Sequence, residues 1–215
     1  DATTRTSNEP STGTVSMSET DANSGSSTTG GSLDMGSACG PPGEPEFSYI
    51  WIANTLQGTV SKIDTQTLKE VGRYLVHPDG GKGDPSRTSV SLSGAVAVAN
   101  RAGGLTKVHA RLSDCIESNG IQGIQTSTDS NFLSWNIEEC RAWYAPMNYT
   151  SQRAVAWTPG TYDKNSCTYE AQKVWTAGAN DPLEPGVVVH RVDGSTGSVE
   201  DTVKVPDVNA AFYGI

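Results

Sequence analysis

The sequence predicts an all-β domain built from a repeated hairpin unit and set behind a low-complexity tail. Three observations carry that expectation. Short β-branched and aromatic runs alternate with tight-turn residues from Ser48 onward. The pattern of the first runs returns twice further along. The first 46 residues differ in composition from everything that follows.

Residues 1–46 are dominated by Ser, Thr, Gly, Asn and Asp, as in Ser24-Gly25-Ser26-Ser27-Thr28-Thr29-Gly30-Gly31-Ser32. Such a stretch buries too little apolar surface to offset its ordering entropy and is expected to be a disordered tether. Cys39-Gly40-Pro41-Pro42-Gly43 closes it with stiff, turn-rich residues.

The β-region is expected over residues 47–215. Tyr49-Ile50-Trp51-Ile52-Ala53 suits a pleated, half-buried surface. Asn54 to Gly58 tolerates a tight reversal. Thr59-Val60-Ser61-Lys62-Ile63 is a second run, Asp64-Thr65-Gln66-Thr67 a second reversal, and Glu70 to Val76 a third run. Short strands with turn signals at this spacing argue for an all-β domain.

The second copy reads Ala97-Val98-Ala99-Asn100 and Leu105-Thr106-Lys107-Val108. The third reads Val174-Trp175-Thr176-Ala177 and Val188-Val189-His190-Arg191-Val192-Asp193. Lys62 to Lys107 spans about 45 residues, the length of a four-stranded repeat of roughly 40–50. Lys107 to Arg191 is longer by about 39, so insertions are expected near 112–149 and 158–172. Pro85-Ser86-Arg87-Thr88-Ser89-Val90 and Thr150-Ser151-Gln152-Arg153-Ala154-Val155 match as strands opening successive units.

Ile52-Ala53-Asn54, then Val60-Ser61-Lys62-Ile63-Asp64-Thr65-Gln66-Thr67, then Pro85-Ser86-Arg87 resembles the YVTN-type β-propeller repeat. The wider group includes NHL-like propellers and, more distantly, the streptogramin (virginiamycin B) lyases. The resemblance implies a partial β-propeller with about three blades or part-blades. His109 departs from the pattern, since Asp64 and Asp193 stand at the equivalent turn position. A propeller closes with about 4–8 blades. The chain is therefore expected to continue past Ile215, where Val208 to Tyr213 reads as the opening of another blade; the alternative is an open β-fold completed by a partner. A Ser/Thr/Gly tether before a β-domain resembles exported bacterial surface lipoproteins. This implies a bacterial cell-surface, outer-membrane-tethered or periplasmic location, with a lipid anchor upstream of Asp1.

The first insertion carries the candidate metal site. Asp114-Cys115-Ile116-Glu117-Ser118-Asn119-Gly120 resembles a calcium loop of related exported propellers. Calcium wants six to eight oxygen ligands. Glu117 and Asn119 supply two positions, Ile121 breaks the pattern, and Asp129, Glu138 and Glu139 are candidates from the far side. Bound calcium is therefore possible, with Glu117, Asn119, Asp129 and Glu139 as its ligands. Four cysteines allow three pairings. The preferred one is Cys115–Cys140, closing the insertion on itself, with Cys167 paired to Cys39 or free.

Trp135, Trp143, Tyr144, Tyr149 and Trp157 gather near the end of this insertion. They are expected to form a local core, and the alternative is a sugar- or peptide-binding platform carried by Trp135, Trp143 and Tyr144. His77, Asp79 and Asp84 lie in a Gly/Pro-dense loop expected to be solvated.

Function is less legible than fold. Net charge of −9 argues against non-specific nucleic-acid binding. No apolar run approaches the ~20 residues of a transmembrane helix. The first expectation is an exported, non-enzymatic binding or scaffolding module for an unknown protein, peptide or glycan, with no catalytic or cofactor-binding residue assigned. The alternatives are an enzyme of the streptogramin-lyase type, with its catalytic blades beyond Ile215, and a calcium-stabilised adhesin-like module.

Overall fold

The computed structural model describes residues 48–180 and 186–206. The expected tail, Cys39 and Val208 to Ile215 lie outside the described residues. Thirteen strands run in the described part. β1 (Tyr49–Asn54), β2 (Thr59–Asp64) and β3 (Lys69–Leu75) form the first sheet. β4 (Pro85–Val90), β5 (Val96–Asn100), β6 (Leu105–Val108) and β7 (Arg141–Ala145) form the second. β8 (Ser151–Trp157), β11 (Lys173–Ala179), β12 (Val187–Asp193) and β13 (Val199–Val205) form the third, with β9 (Thr161–Asp163) and β10 (Thr168–Glu170) as a hairpin between β8 and β11. All pairings are antiparallel, and none of the sheets closes on itself.

The all-β expectation therefore holds, and the three copies occupy equivalent places. Trp51 faces Lys62 across the ladder, Ala97 faces Lys107, and Trp175 faces Arg191. The register slips immediately after each basic residue: Lys62/Ile63, Lys107/Val108 and Arg191/Val192. A bulge bends the strand and re-aims the side chain beside it. Finding it three times at one repeat position makes it part of the repeat.

The turn after that bulge is set by its aspartate. Asp64 Oδ1 accepts from Gln66 N at 2.9 Å and Thr67 N at 2.8 Å. Asp193 Oδ1 accepts from Ser195 N at 3.0 Å and Thr196 N at 2.9 Å. The short aspartate side chain thus closes the reversal by mimicking a backbone turn. His109 cannot accept in that way. The long insertion starts there instead, and its ends are held where His109 N donates to Cys140 O at 2.8 Å.

The sheets stack face to face through the apolar residues that their inner strands present to one another. Trp51, Val60 and Tyr74 of the first sheet pack against Val96, Val98 and Val108 of the second. Ala97, Leu105 and Trp143, on the opposite face of the second sheet, pack against Val174 and Val192 of the third. The central sheet is thereby buried on both faces: all five residues of β5 are buried, and Val96–Ala99 is apolar with no alternation. Each fully buried Val or Leu contributes about 1.5–3 kcal/mol.

Basic residues tie one sheet to the next. Lys62 Nζ donates to the Ala110 carbonyl and lies 4.0 Å from the Tyr49 ring centroid. Lys107 Nζ donates to the Gly194 carbonyl at 2.8 Å, and Trp143 Nε1 donates to the same oxygen at 3.1 Å. Ala110 and Gly194 each stand three residues past the basic residue of the receiving sheet. Lys62 is 8% exposed, and burial lowers both lysines from the ordinary value.

Arg141–Ala145, which the sequence reading placed inside the first insertion, is instead the regular outer strand β7. The irregular part runs from 109 to 140, with one short 3-10 turn at Leu112–Asp114. The second insertion is the β9–β10 hairpin, where Asp163 Oδ1 again accepts from a turn amide, Asn165 N, at 2.9 Å.

Candidate functional site

Alternation along β7 separates its aromatics. Trp143 turns into the core between the second and third sheets and is 8% exposed. Tyr144 turns to the opposite face and stays half-buried. It lies over Gly104, whose φ is +96° and where a Cβ would sit 2.5 Å from the Tyr144 ring. Only glycine suits both that backbone and that close approach.

Tyr144 makes edge contacts on two sides. The His77 ring stands 5.4 Å away at 80°, and the Trp135 ring 5.6 Å away at 89°. Arg141 covers Trp135 with its guanidinium carbon 3.6 Å from the ring centroid and donates to Trp135 O at 2.8 Å. His77, Tyr144 and Trp135 therefore form a half-buried aromatic row ending in a stacked guanidinium. Burial lowers the His77 pKa, so the imidazole is neutral at neutral pH. It also pushes Tyr144 upward, so its phenol stays protonated. The row offers flat apolar faces together with hydrogen-bond donors, the chemistry that suits a ring-bearing or planar ligand.

Of the three expected binding aromatics, Trp135 and Tyr144 meet, and Trp143 is core. His77 was missed, because 67 residues separate it from Tyr144 in sequence. The loop that carries it was expected to be solvated. Pro78, Asp79, Gly81 and Lys82 are indeed exposed, while the loop also holds a 3-10 turn, Gly80–Gly83, and Asp84 pairs with Arg101 at 3.0 Å. Tyr149 and Trp157 go elsewhere. Tyr149 Oη lies 2.6 Å from His190 Nε2, and His190 Nδ1 lies 2.9 Å from Thr202 Oγ1. Trp157 Nε1 donates to Ser89 O at 3.0 Å.

The calcium candidates act as loop staples. Glu139 Oε1 accepts from Ser118 N at 2.6 Å and Asn119 N at 3.0 Å, and Oε2 accepts from Gln125 N at 2.8 Å. These amides hold its carboxyl below the usual range. Glu117 Oε1 accepts from Gly120 N, Asn119 Oδ1 from Ile121 N, and Asp129 Oδ1 from Asn131 N. Glu138 gathers Thr126 Oγ1, Ser127 N and Cys140 N. Successive carboxylates thus organise the two halves of one loop through its own amides. Among the described residues no group of three or more His, Cys, Asp or Glu is placed to hold a metal ion.

Cys115 and Cys140 are disulfide-bonded, with Cα atoms 4.5 Å apart. The bond closes the insertion as expected. Cys167 is also disulfide-bonded, and Cys39 lies outside the described residues.

Two cavities flank the lysine ties. One, of about 240 Å³, lies between the first and second sheets and is lined by Lys62, Tyr74, His109, Thr126 and Ser127. Burial lowers His109 to about 4 and pushes the Tyr74 phenol up. Both are therefore neutral at pH 7. The other, of about 260 Å³, is lined by Ser93, Lys107, Tyr169, Gln172 and Gly194. In each cavity the ammonium is already bound to a carbonyl. Each thus reads as the space around a tie between sheets.

Among the described residues no helix is long and apolar enough to cross a membrane. The chain matches no family model and no curated protein.

Proposed function

We propose that this chain is an exported cell-envelope β-propeller module that acts by binding or scaffolding. The observation that carries the reading is the threefold recurrence of one structural unit. Each copy has a basic residue at the same ladder position, opposite an apolar residue and followed by the same bulge. Recurrent antiparallel sheets stacked in sequence order support the reading of each as a blade. The Ser/Thr/Gly stretch before residue 47 is then the tether. The Cys115–Cys140 disulfide supports an oxidising location.

Binding is favoured over catalysis by how the histidines are used. His77 packs on Tyr144, His109 lines the cavity beside Lys62, and His190 meets Tyr149. They serve three separate places, whereas acid–base chemistry needs its groups within reach of one reacting atom. The row of His77, Tyr144 and Trp135 is the contact surface, and its ligand is a glycan or a peptide.

The test is a glycan and peptide array probed with the wild-type chain and with Trp135→Ala. The expected result is a ligand class bound by the wild type and lost in the variant, with the melting temperature little changed. Unchanged binding in Trp135→Ala would place the contact surface elsewhere.

A further inference from the structure

We infer that Cys39 and Cys167 are joined by a disulfide that straps the tail to the third sheet and carries a pull on the tether past the first and second sheets. The strap's role rests on the tether reading above; the linkage itself does not. The chain holds four cysteines. Cys115 and Cys140 are bonded to each other, Cys167 is bonded, and no cysteine among the described residues is free. Cys39 is the one sulfur left for Cys167. Forming the bond oxidises two thiols, and the two electrons and two protons pass to a disulfide-bearing oxidant, which becomes a dithiol. The Cys115–Cys140 bond needs the same class of oxidant.

Cys167 is placed where a second chain segment reaches it. It stands in the turn of the β9–β10 hairpin and is exposed. That turn is the repeat's own. An aspartate opens it and the fourth residue onward is left-handed: Leu68 after Asp64 at φ +57°, Cys167 after Asp163 at +58°, Gly197 after Asp193 at +76°. The left-handed residue ends the reversal, so Cys167 sits where the hairpin doubles back.

The hairpin leaves the sheets at the end where the chain enters β1. Its base is fixed there, since Gly194 N of the Asp193 turn donates to Gln172 O at 2.9 Å and Ser93 Oγ donates to Gln172 Oε1 at 2.8 Å. Tyr49, which opens β1, faces Asp64, the equivalent turn of the first sheet. Packed sheets lie ~10 Å apart, so about 20 Å separates the first from the third. Cys39 precedes Ser48 by nine residues, and nine residues reach up to about 30 Å. The bond is therefore within reach across the second sheet.

The strap changes where a load on the tail enters the fold. Among the described residues β1 is the end strand of its sheet and pairs with β2 alone. β11, the strand after the hairpin, is paired on both sides, by β8 and β12. A pull entering at β1 strips an end strand. Through the strap it enters at the hairpin and β11, and residues 40–166 lie in a covalent loop that the pull does not lengthen. His77, Trp135, Arg141 and Tyr144 all belong to that loop, so the aromatic row keeps its shape under load.

Tryptic mapping of the denatured, unreduced chain tests the linkage. The expected product joins residues 165–173, which hold Cys167, to residues 6–62, which hold Cys39, while residues 112–141 close on themselves through Cys115 and Cys140. Cys167 found as a thiol, or joined to residues 112–141 or to a second copy of 165–173, overturns the inference. Pulling single molecules by handles fused to both ends tests the strap. Cys39→Ser with Cys167→Ser is expected to lengthen the fully extended chain by ~340–370 Å, the reach of the stretches from Cys39 to Cys115 and from Cys140 to Cys167. Equal extension of wild type and variant overturns the strap. Both readouts are taken on the unfolded chain, so neither depends on the variant folding. Recovery of the natural protein free of any envelope attachment would overturn the tether reading and the strap's load with it, a different failure from a Cys167 bonded elsewhere.

Discussion

Replacing Lys62 by Met removes a tie between sheets while keeping most of the side-chain volume. Lys62 Nζ donates to the Ala110 carbonyl and stands over the Tyr49 ring at 4.0 Å. A hydrogen bond from a charged donor is worth about 1.5–3 kcal/mol. The cation–π contact adds about 0.5–2 kcal/mol. Against these stands the cost of holding an ammonium at 8% exposure, which the lowered pKa registers. The net loss on Lys62→Met is expected to be about 1–2 kcal/mol at pH 7. Lys107→Met is expected to cost about half as much, because the Gly194 carbonyl keeps Trp143 Nε1 as a donor. The sign with pH is a second readout. A lysine whose folded pKa lies below its ordinary 10.5 leaves the unfolded chain holding more protons between the two values. Wild-type stability therefore rises with pH across that window, and Lys62→Met flattens the rise. Urea melts at pH 7 and at steps up to pH 10.5 measure both. A Lys62→Met variant at least as stable as wild type, with an unchanged alkaline slope, would refute the reasoning.

Three further outcomes are expected. His109 is held at about 4 by burial, so its contribution is complete above pH 6.5 and is lost as pH falls from 6.5 through 4. The fall from 6.5 to about 4 corresponds to about 3 kcal/mol, or about 2 after allowance for partial solvent contact; His109→Gln should remove that share of the acid sensitivity in urea melts. Glu139→Gln loses the charged acceptor of three amides, so exchange at Ser118, Asn119 and Gln125 should accelerate while Val96–Asn100 stays protected. A chelator should leave the same amides unaffected, and slowed exchange on calcium addition would show that the loop carboxylates serve a metal after all. Removing the 25-residue Cys115–Cys140 closure by paired alanines should cost about 3 kcal/mol in a denaturant melt, and a loss under 1 kcal/mol would mean that the carboxylate staples alone define the loop.

Much of the fold was legible because it is written in local chemistry. The Asp64 and Asp193 turns follow from a carboxylate two or three residues ahead of free amides. The ladder of Trp51 with Lys62 follows from a two-residue period and a short loop. Recurrence of those local signals gave the number of sheets. Strand β7 was not legible, since Arg141 to Ala145 is separated from its partner β6 by the whole insertion and only pairing reveals it. The roles of Glu138 and Glu139 were equally hidden. Carboxylates in a polar loop suggest a cation, and backbone amides as their partners become visible only when the loop is folded. The aromatic row was half legible. Trp135 and Tyr144 lie close in sequence, while His77 arrives from the preceding sheet connection and Trp143 leaves through strand alternation.

The measurement that bears most directly on the central claim is a methyl–methyl nuclear Overhauser spectrum of the selectively labelled chain. Stacking of the three equivalent sheets places Val60 in one cluster with Val98, and Leu105 in one cluster with Val174. Cross-peaks are expected for both pairs, although neither pair is joined by a strand ladder. If cross-peaks appear only between strands of the same sheet, the sheets do not stack, and the repeated-unit account is contradicted along with the function drawn from it.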